Sequence, residues 1–402
     1  MGKYLLNEKL AHFSEAQVDT FLSRYYQGEK CTPLLAIFAI DVHANAVSQW
    51  LPIDTTESAV CPNCGSSMFI KYAKRKSSIK RYQKVMHCNG CEHVPTKFCH
   101  CAYCRQKCMD ERTAQKLQVS NAISAYCRLN LASVYMESAT ELSLKHAVAL
   151  LALVRCCDRL ADSTFGALVH ATMPFAPNND WGVNLLRSLM NAKLLSISEG
   201  TSEKHFIIES QHIEPRYGYV NWEIQLENID AIILDIENLC RAGNIPSNWQ
   251  RDLPKLRQEL ALAECKELYT FCLDERGLPS EVGAKAEAML LDILVDHSVA
   301  QCYQAIRYAA MRTLDFKTVQ RKNNLPVQHY QLPSYMVNTC QNYVDRARLE
   351  GLNNKGFSRN AHIPRSMMSV VLYDTLLKMG ERGFTEPYHS AVNYTTVKRL
   401  YD

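Results

Sequence analysis

Residues 61–108 read CPNCGSSMFIKYAKRKSSIKRYQKVMHCNGCEHVPTKFCHCAYCRQKC, and this stretch holds eight of the seventeen cysteines of the chain. Cys61-Pro62-Asn63-Cys64 and Cys88-Asn89-Gly90-Cys91 are two CxxC knuckles with residues 65–87 between them. Four thiolates so paired close a tetrahedron around Zn²⁺ with no open position, the arrangement of a structural site. The separation exceeds the usual ribbon spacing of about 15–20 residues, so a longer hairpin between the knuckles is expected. Gly65 and Gly90 sit where each knuckle must turn sharply. A second group, Cys99, Cys101, Cys104 and Cys108, suits a second zinc. Four ligands that close in sequence are crowded, so His93 or His100 stands as an alternative fourth ligand.

The same stretch concentrates positive charge. Lys71 to Lys107 carries ten Lys or Arg against one acid, Glu92, within a chain of net charge +4. Even after two four-sulfur sites at about −2 each, this remains an anion-binding segment. Lys71, Lys74, Arg75, Lys76, Lys80, Arg81 and Lys84, interleaved with Tyr72 and Tyr82, lie between the knuckles. An exposed cationic hairpin of this kind attracts phosphates, and its tyrosines can stack on unpaired bases. DNA is the expected partner, with RNA kept open.

Working outward, residues 1–60 read as three short helices. Ser14 caps the first, in which Val18, Phe21, Leu22 and Tyr25 recur at helical spacing. Gly28 ends it, and Thr32-Pro33 opens a second through Leu34, Leu35 and Phe38. His43–Leu51 is the third, stopped by Pro52. Its Asn45 and Gln49 have the amides that read base edges. The unit is nonetheless acidic, with seven acids against four Lys or Arg, so its phosphate anchoring has to come from the neighbouring basic loop.

Beyond the zinc segment (61–109), a linker helix is expected over about Asp110–Glu137, within 110–140. Residues 141–215 read as a winged helix, with helices at Leu144–Cys157, Thr164–Met173 and Trp181–Ala192. Asp180 is a plausible N-cap for the last of these. Strands LLSISEG and TSEKHFIIE then turn about Glu199-Gly200. Asn184 and Arg187, with Ser188 and Asn191, fall on the outward face of the third helix, where a groove contact would be made. Residues 220–402 are helical, over Ile229–Arg241, Leu253–Glu275, Val282–His297, Val299–Lys317, Tyr335–Glu350 and Ser366–Met379. The fold class is therefore mainly α, with a trihelical helix-turn-helix at the N-terminus, a ribbon of small β-hairpins, a winged helix and a helical C-terminal domain.

The stretch SEAQVDTFLSRYYQGEKCTPLLAIFAIDVHANAVSQWL (14–51) resembles the trihelical helix-turn-helix of the resolvase/invertase and transposase families. With the CxxC…CxxC segment behind it, the chain resembles uncharacterised bacterial proteins that place such a unit before a zinc ribbon. It also resembles, distantly, the targeting subunits of Tn7-type transposons, which pair zinc fingers with helix-turn-helix units. These resemblances imply a bacterial defence or mobile-element setting and supply no catalytic residues.

At 47% hydrophobic and 21% charged the chain is an ordinary globular protein, and its longest apolar run, Ala147–Val154, falls far short of the about 20 residues that cross a bilayer. No leader opens it, and an odd cysteine count with CxxC knuckles fits the reducing cytoplasm. Catalytic patterns are scarce: there is no phosphate-binding glycine loop, GxSxG or HExxH. Asp292, Asp296 and His297 share one helical stretch, His362 follows Arg359 in a short loop, and Arg382 and His389 are interrupted by Gly383 and Pro387. The expectation is a non-enzymatic zinc-stabilised DNA-binding protein, a regulator or a targeting or sensing subunit. Its C-terminal half would contact a protein partner or a second copy, and no membrane is involved. The alternatives are a scaffold subunit with purely structural zinc, and an effector nuclease in the C-terminal half.

Overall fold

A computed structural model describes residues 2–72, 84–96, 98–128, 133–209, 212–242, 245–328, 330–351 and 356–390. The chain is mainly helical with small antiparallel sheets, and it divides into two compact units, Met1–Ser120 and Asn121–Asp402.

In the first unit a short strand β1 (Tyr4–Leu5) precedes α1 (Glu15–Tyr26) and α2 (Cys31–Ile37). Ser14 and Gln17 form a capping box at the start of α1, which satisfies amides that the helix itself cannot. Val18, Phe21, Leu22 and Tyr25 point inward with Leu34, Leu35 and Val47. The third helical segment is not an α-helix. Ala44–Gln49 forms a 3₁₀ turn capped by the His43 ring.

Strands β2 (Ile53–Val60), β3 (Ser67–Tyr72) and β4 (Lys84–Cys88) complete the unit, with antiparallel order β1-β2-β3-β4. Leu5 pairs with Ile53, and Ile53 with Lys71. Met68 pairs with Cys88 and Tyr72 with Lys84. Tyr72 packs into the helical core and donates to the buried Asp54 carboxylate at 3.2 Å. Residues on both sides of Cys61 therefore share one sheet and one core.

Helix α3 (Ala102–Arg128) begins immediately after Cys101, earlier than the expected Asp110, and ends at Arg128 rather than Glu137.

In the second unit α4 (Leu144–Cys156) is followed by β5 (Thr164–Phe165), a 3₁₀ turn (Leu168–His170), α5 (Asn179–Asn191), β6 (Leu195–Ile197), β7 (Phe206–Glu209), β8 (His212–Pro215) and β9 (Trp222–Ile224). The helix expected over Thr164–Met173 is instead β5 and the 3₁₀ turn, because Phe165 is buried against its pairing partner Trp222. Asn178, not Asp180, caps α5, accepting the Trp181 amide at 2.9 Å.

The hairpin expected about Glu199-Gly200 is also replaced. β6 pairs with β9, giving the order β5-β9-β6, and β7 pairs with β8. Leu195 and Ile197 of β6 are buried and need apolar partners, which Ile224 and Trp222 provide, whereas β7 leaves Ile207 and Ile208 exposed. Burial overrides the local turn signal here.

The remaining helices are α6 (Ile229–Ala242), α7 (Ser247–Asp274), α8 (Ala284–Leu294), α9 (Val299–Lys322) and α10 (Gln331–Glu350). Four of them, α7 to α10, bury one continuous core that includes Cys265, Tyr269, Ile293, Cys302, Ile306 and Cys340. The helix expected over Ser366–Met379 is a single α-turn, Met367–Ser369, that widens into a π-helical stretch, Val370–Leu376. Among the described residues no helix is long and apolar enough to cross a membrane.

Candidate metal centres

β2 ends where the first knuckle begins, and β4 ends at Cys88, so strand pairing delivers the two knuckles to the same end of the sheet. The sulfurs of Cys61, Cys64, Cys88 and Cys91 all lie within 4.8 Å of one another. Cys64 and Cys88 are 3.3 Å apart and Cys61 and Cys91 3.6 Å. A tetrahedron with Zn–S of about 2.3 Å has edges of about 3.8 Å, so the four sulfurs are already at metal-binding spacing.

The backbone prepares the sulfurs for charge. Amides of Asn63, Gly90 and Cys91 point at the sulfurs of Cys61 and Cys88, at 3.3 to 3.4 Å. The turn residue after each knuckle is left-handed: Gly65 at φ 71° in the first, Glu92 at φ 58° in the second. Gly90 serves differently from the sharp turn expected of it, since its φ is not positive. A Cβ there would stand 2.4 Å from the Ser66 hydroxyl oxygen and 3.3 Å from the Cys64 sulfur, so glycine is required for close approach.

The second group gathers His93, Cys99, Cys101 and Cys104, again within 4.8 Å. The His93 Nδ1 lies 3.3 Å from the Cys104 sulfur, 3.5 Å from Cys99 and 3.9 Å from Cys101. His93, not His100, is the histidine whose ring nitrogen lies among these three sulfurs. Cys108 is the correction: it is exposed on α3, one turn beyond Cys104, and takes no part in the group. Four residues along a helix carry it away from the sulfurs that Cys99 and Cys101 present from the preceding loop.

The two groups are neighbours. The Asn63 side-chain amide of the first knuckle faces the sulfurs of Cys104 and Cys101 at 3.8 and 4.0 Å, and the Cys88 amide donates to the His93 carbonyl at 2.9 Å.

The thiols within each group do not titrate alike. The Ser66 hydroxyl and amide hold Cys64 down to about 6, while burial pushes Cys91 far above the ordinary thiol range. The Val94 amide, and then that of Cys101, hold Cys99 down to about 6, while burial and then Cys101 push Cys104 up to about 11. Sulfurs packed this tightly cannot all ionise without a cation among them, and a divalent metal is the natural counter-charge. The residues fit zinc in both groups: four sulfurs in one, three sulfurs and an imidazole in the other, and each set is closed to catalysis.

The residues expected to meet nucleic acid fall in both units. Asn45 and Gln49 are exposed on the 3₁₀ turn, and Lys71 is exposed at the end of β3. Lys84 opens β4 opposite Tyr72. Lys74, Arg75, Lys76, Lys80 and Arg81 lie outside the described residues. Asn184 and Arg187 are exposed on α5 in the second unit, but the Arg187 guanidinium donates to the Tyr217 hydroxyl at 3.1 Å and lies 3.5 Å from the Glu214 carboxylate. Ser188 is turned inward, its hydroxyl 2.9 Å from His146 Nε2.

Arg348, which sequence inspection did not single out, reaches Asp292 and Asp296 at 2.8 Å each, and His297 Nδ1 lies 2.6 Å from Asp296. Arg359 pairs with the fully buried Glu264 at 3.1 Å and lies over the Phe384 ring. His362 is exposed. Arg382 sits on a four-residue helix that ends before Pro387.

No family model, no curated protein and no solved structure matches this chain.

Proposed function

We propose that the first unit is a zinc-stabilised nucleic-acid-binding module and that DNA is its ligand. The observation that carries this reading is the register of β3 and β4. Tyr72 pairs with Lys84 and Met68 with Cys88, so residues 73–83 join two strands whose far end is gathered by the first cysteine group. That connection holds Lys74, Arg75, Lys76, Lys80 and Arg81 and no acid, with Lys71 and Lys84 at its base. Metal at one end of such a hairpin lowers the entropy lost when its cations meet a phosphate backbone. The helical segment before Cys61 is read as a helix-turn-helix built onto the same sheet, and the whole as a zinc ribbon.

In the second unit, the order helix, strand, helix and four strands, with β5, β9 and β6 in one sheet and β7 and β8 paired as a hairpin between β6 and β9, supports a winged-helix reading. Since Arg187 is held by Glu214 and Tyr217, that unit is read as contacting protein rather than phosphate. The protein is then a bacterial regulator or targeting subunit, with α6 to α10 serving a partner or a second copy.

The test is duplex binding as a function of salt by the zinc-loaded chain. With Lys74, Arg75, Lys76, Lys80 and Arg81 all replaced by Ala, the log–log slope should become less negative by up to about 0.9 for each phosphate no longer neutralised. Equal slope and affinity in that variant would exclude the reading.

A further inference from the structure

The first unit contains a cleft whose lining matches one kind of ligand. Leu5, Ile53 and Lys71 are directly paired across β1, β2 and β3, so their side chains stand in one row on one face of the sheet. Tyr4, Asp54 and Ile70, one residue along, belong to the opposite face, where Asp54 and Ile70 are buried. Ser48 and Gln49 of the 3₁₀ turn and Asn7 also line the cleft. The cleft measures about 330 Å³, the lower end of the range for small-ligand sites and suited to one nucleotide rather than a larger cofactor.

Its chemistry is equally restrictive. One cation and no acid line it, so the favoured ligand is anionic. The Lys71 ammonium is exposed and makes no hydrogen bond or ion pair among the described residues, and the same holds for the Gln49 side-chain amide. The Asn7 amide is already committed to the Trp50 carbonyl at 2.6 Å, which fixes that wall. Leu5, 60% exposed, and Ile53 give an apolar floor on which a flat ring can lie. A phosphate for Lys71, a hydrogen-bonding edge for Gln49 and Ser48, and a planar face for Leu5 and Ile53 together describe a nucleotide. A base paired inside a duplex cannot offer its face and its edge at once.

We propose that this cleft receives a single unpaired nucleotide, with its phosphate at Lys71 and its base between Gln49 and the Leu5–Ile53 floor. The proposal rests on the nucleic-acid reading above for the source of the nucleotide, a strand held by the basic hairpin. A free mononucleotide offers the same chemistry.

The test follows the methyl resonances of Leu5 and Ile53 in the full zinc-loaded chain. Three probes are titrated: a mixed-sequence single-stranded 12-mer, its duplex, and the four deoxynucleoside monophosphates. The single strand should shift both methyls, the duplex should not, and Gln49→Ala or Lys71→Ala should each weaken the single-strand response by about fivefold or more. Both positions are exposed, so neither change threatens the fold. A strand that binds without moving these methyls, or binds the variants as tightly as the wild type, overturns the proposal and leaves the hairpin reading intact. Methyl shifts with mononucleotides and no binding of either strand form would keep the cleft and discard the hairpin reading. No shift with any probe overturns the cleft.

Discussion

The sulfurs of Cys64 and Cys88 lie 3.3 Å apart although residues 65–87 separate them in the chain. The β3–β4 ladder brings them together by folding that span back on itself. Strand pairing and thiolate geometry are thus one event, and metal affinity is coupled to folding of the sheet.

The chain should bind two equivalents of zinc. Cys88→Ser removes a buried member of the first group and should leave one equivalent, with loss of the β3–β4 pairing. Structural zinc contributes about 10–16 kcal/mol in small metal-folded peptides, so chelation should unfold most of the first unit. Elemental analysis and circular dichroism of wild type and variant check this.

His93 and Cys108 should behave oppositely. His93→Ala should lose one equivalent of metal, and Cys108→Ala should keep both. Substitution with Co²⁺ should give spectra of one four-sulfur and one three-sulfur, one-nitrogen centre. Retention of both metals by His93→Ala would refute the assignment.

Arg348→Ala should destabilise the second unit by about 1 kcal/mol, since it removes the shared partner of the half-exposed Asp292 and Asp296. Arg348, helped by His297, holds the Asp296 carboxyl at about 2, below its ordinary 3.8. The stabilisation from this group is therefore present above about pH 3.8 and is lost as pH falls toward 2. Urea unfolding across that window should show a steeper acid loss in wild type than in Arg348→Ala.

Glu267 provides the opposite sign. Burial, and then the neighbouring Glu264, push its carboxyl up to about 8 from an ordinary 4.5. Its contribution is full below about pH 4.5 and fades as pH rises to about 8. Glu267→Gln cannot ionise, so its denaturation midpoint should fall less than that of wild type between pH 5 and 8.5.

Trp222 is fully buried on β9, between β5 and β6. Trp222→Ala should cost about 3–5 kcal/mol, whereas Ile207→Ala on exposed β7 should cost about 0.5 kcal/mol or less. Equal effects in thermal unfolding would argue against the β5-β9-β6 order.

Features that depend on near neighbours were legible in the residue order alone. The CxxC spacing identified Cys61, Cys64, Cys88 and Cys91. The Ser14 cap and the recurrence of Val18, Phe21, Leu22 and Tyr25 located α1, and the apolar periodicity located α6 to α10, because helices and knuckles are made by residues close in the chain. What distant residues share emerged only from the packed chain. Packing chose His93 over Cys108 as a member of the second group, because a helix carries Cys108 off by one turn. It matched β6 to β9 rather than β7, because a fully buried strand takes the partner that removes most apolar surface from water. It held Arg348 against Asp292 and Asp296, and it brought Leu5, Gln49 and Lys71 around one cleft. Local sequence cannot encode such pairings, since each depends on which surfaces remain to be buried once the neighbouring elements have formed.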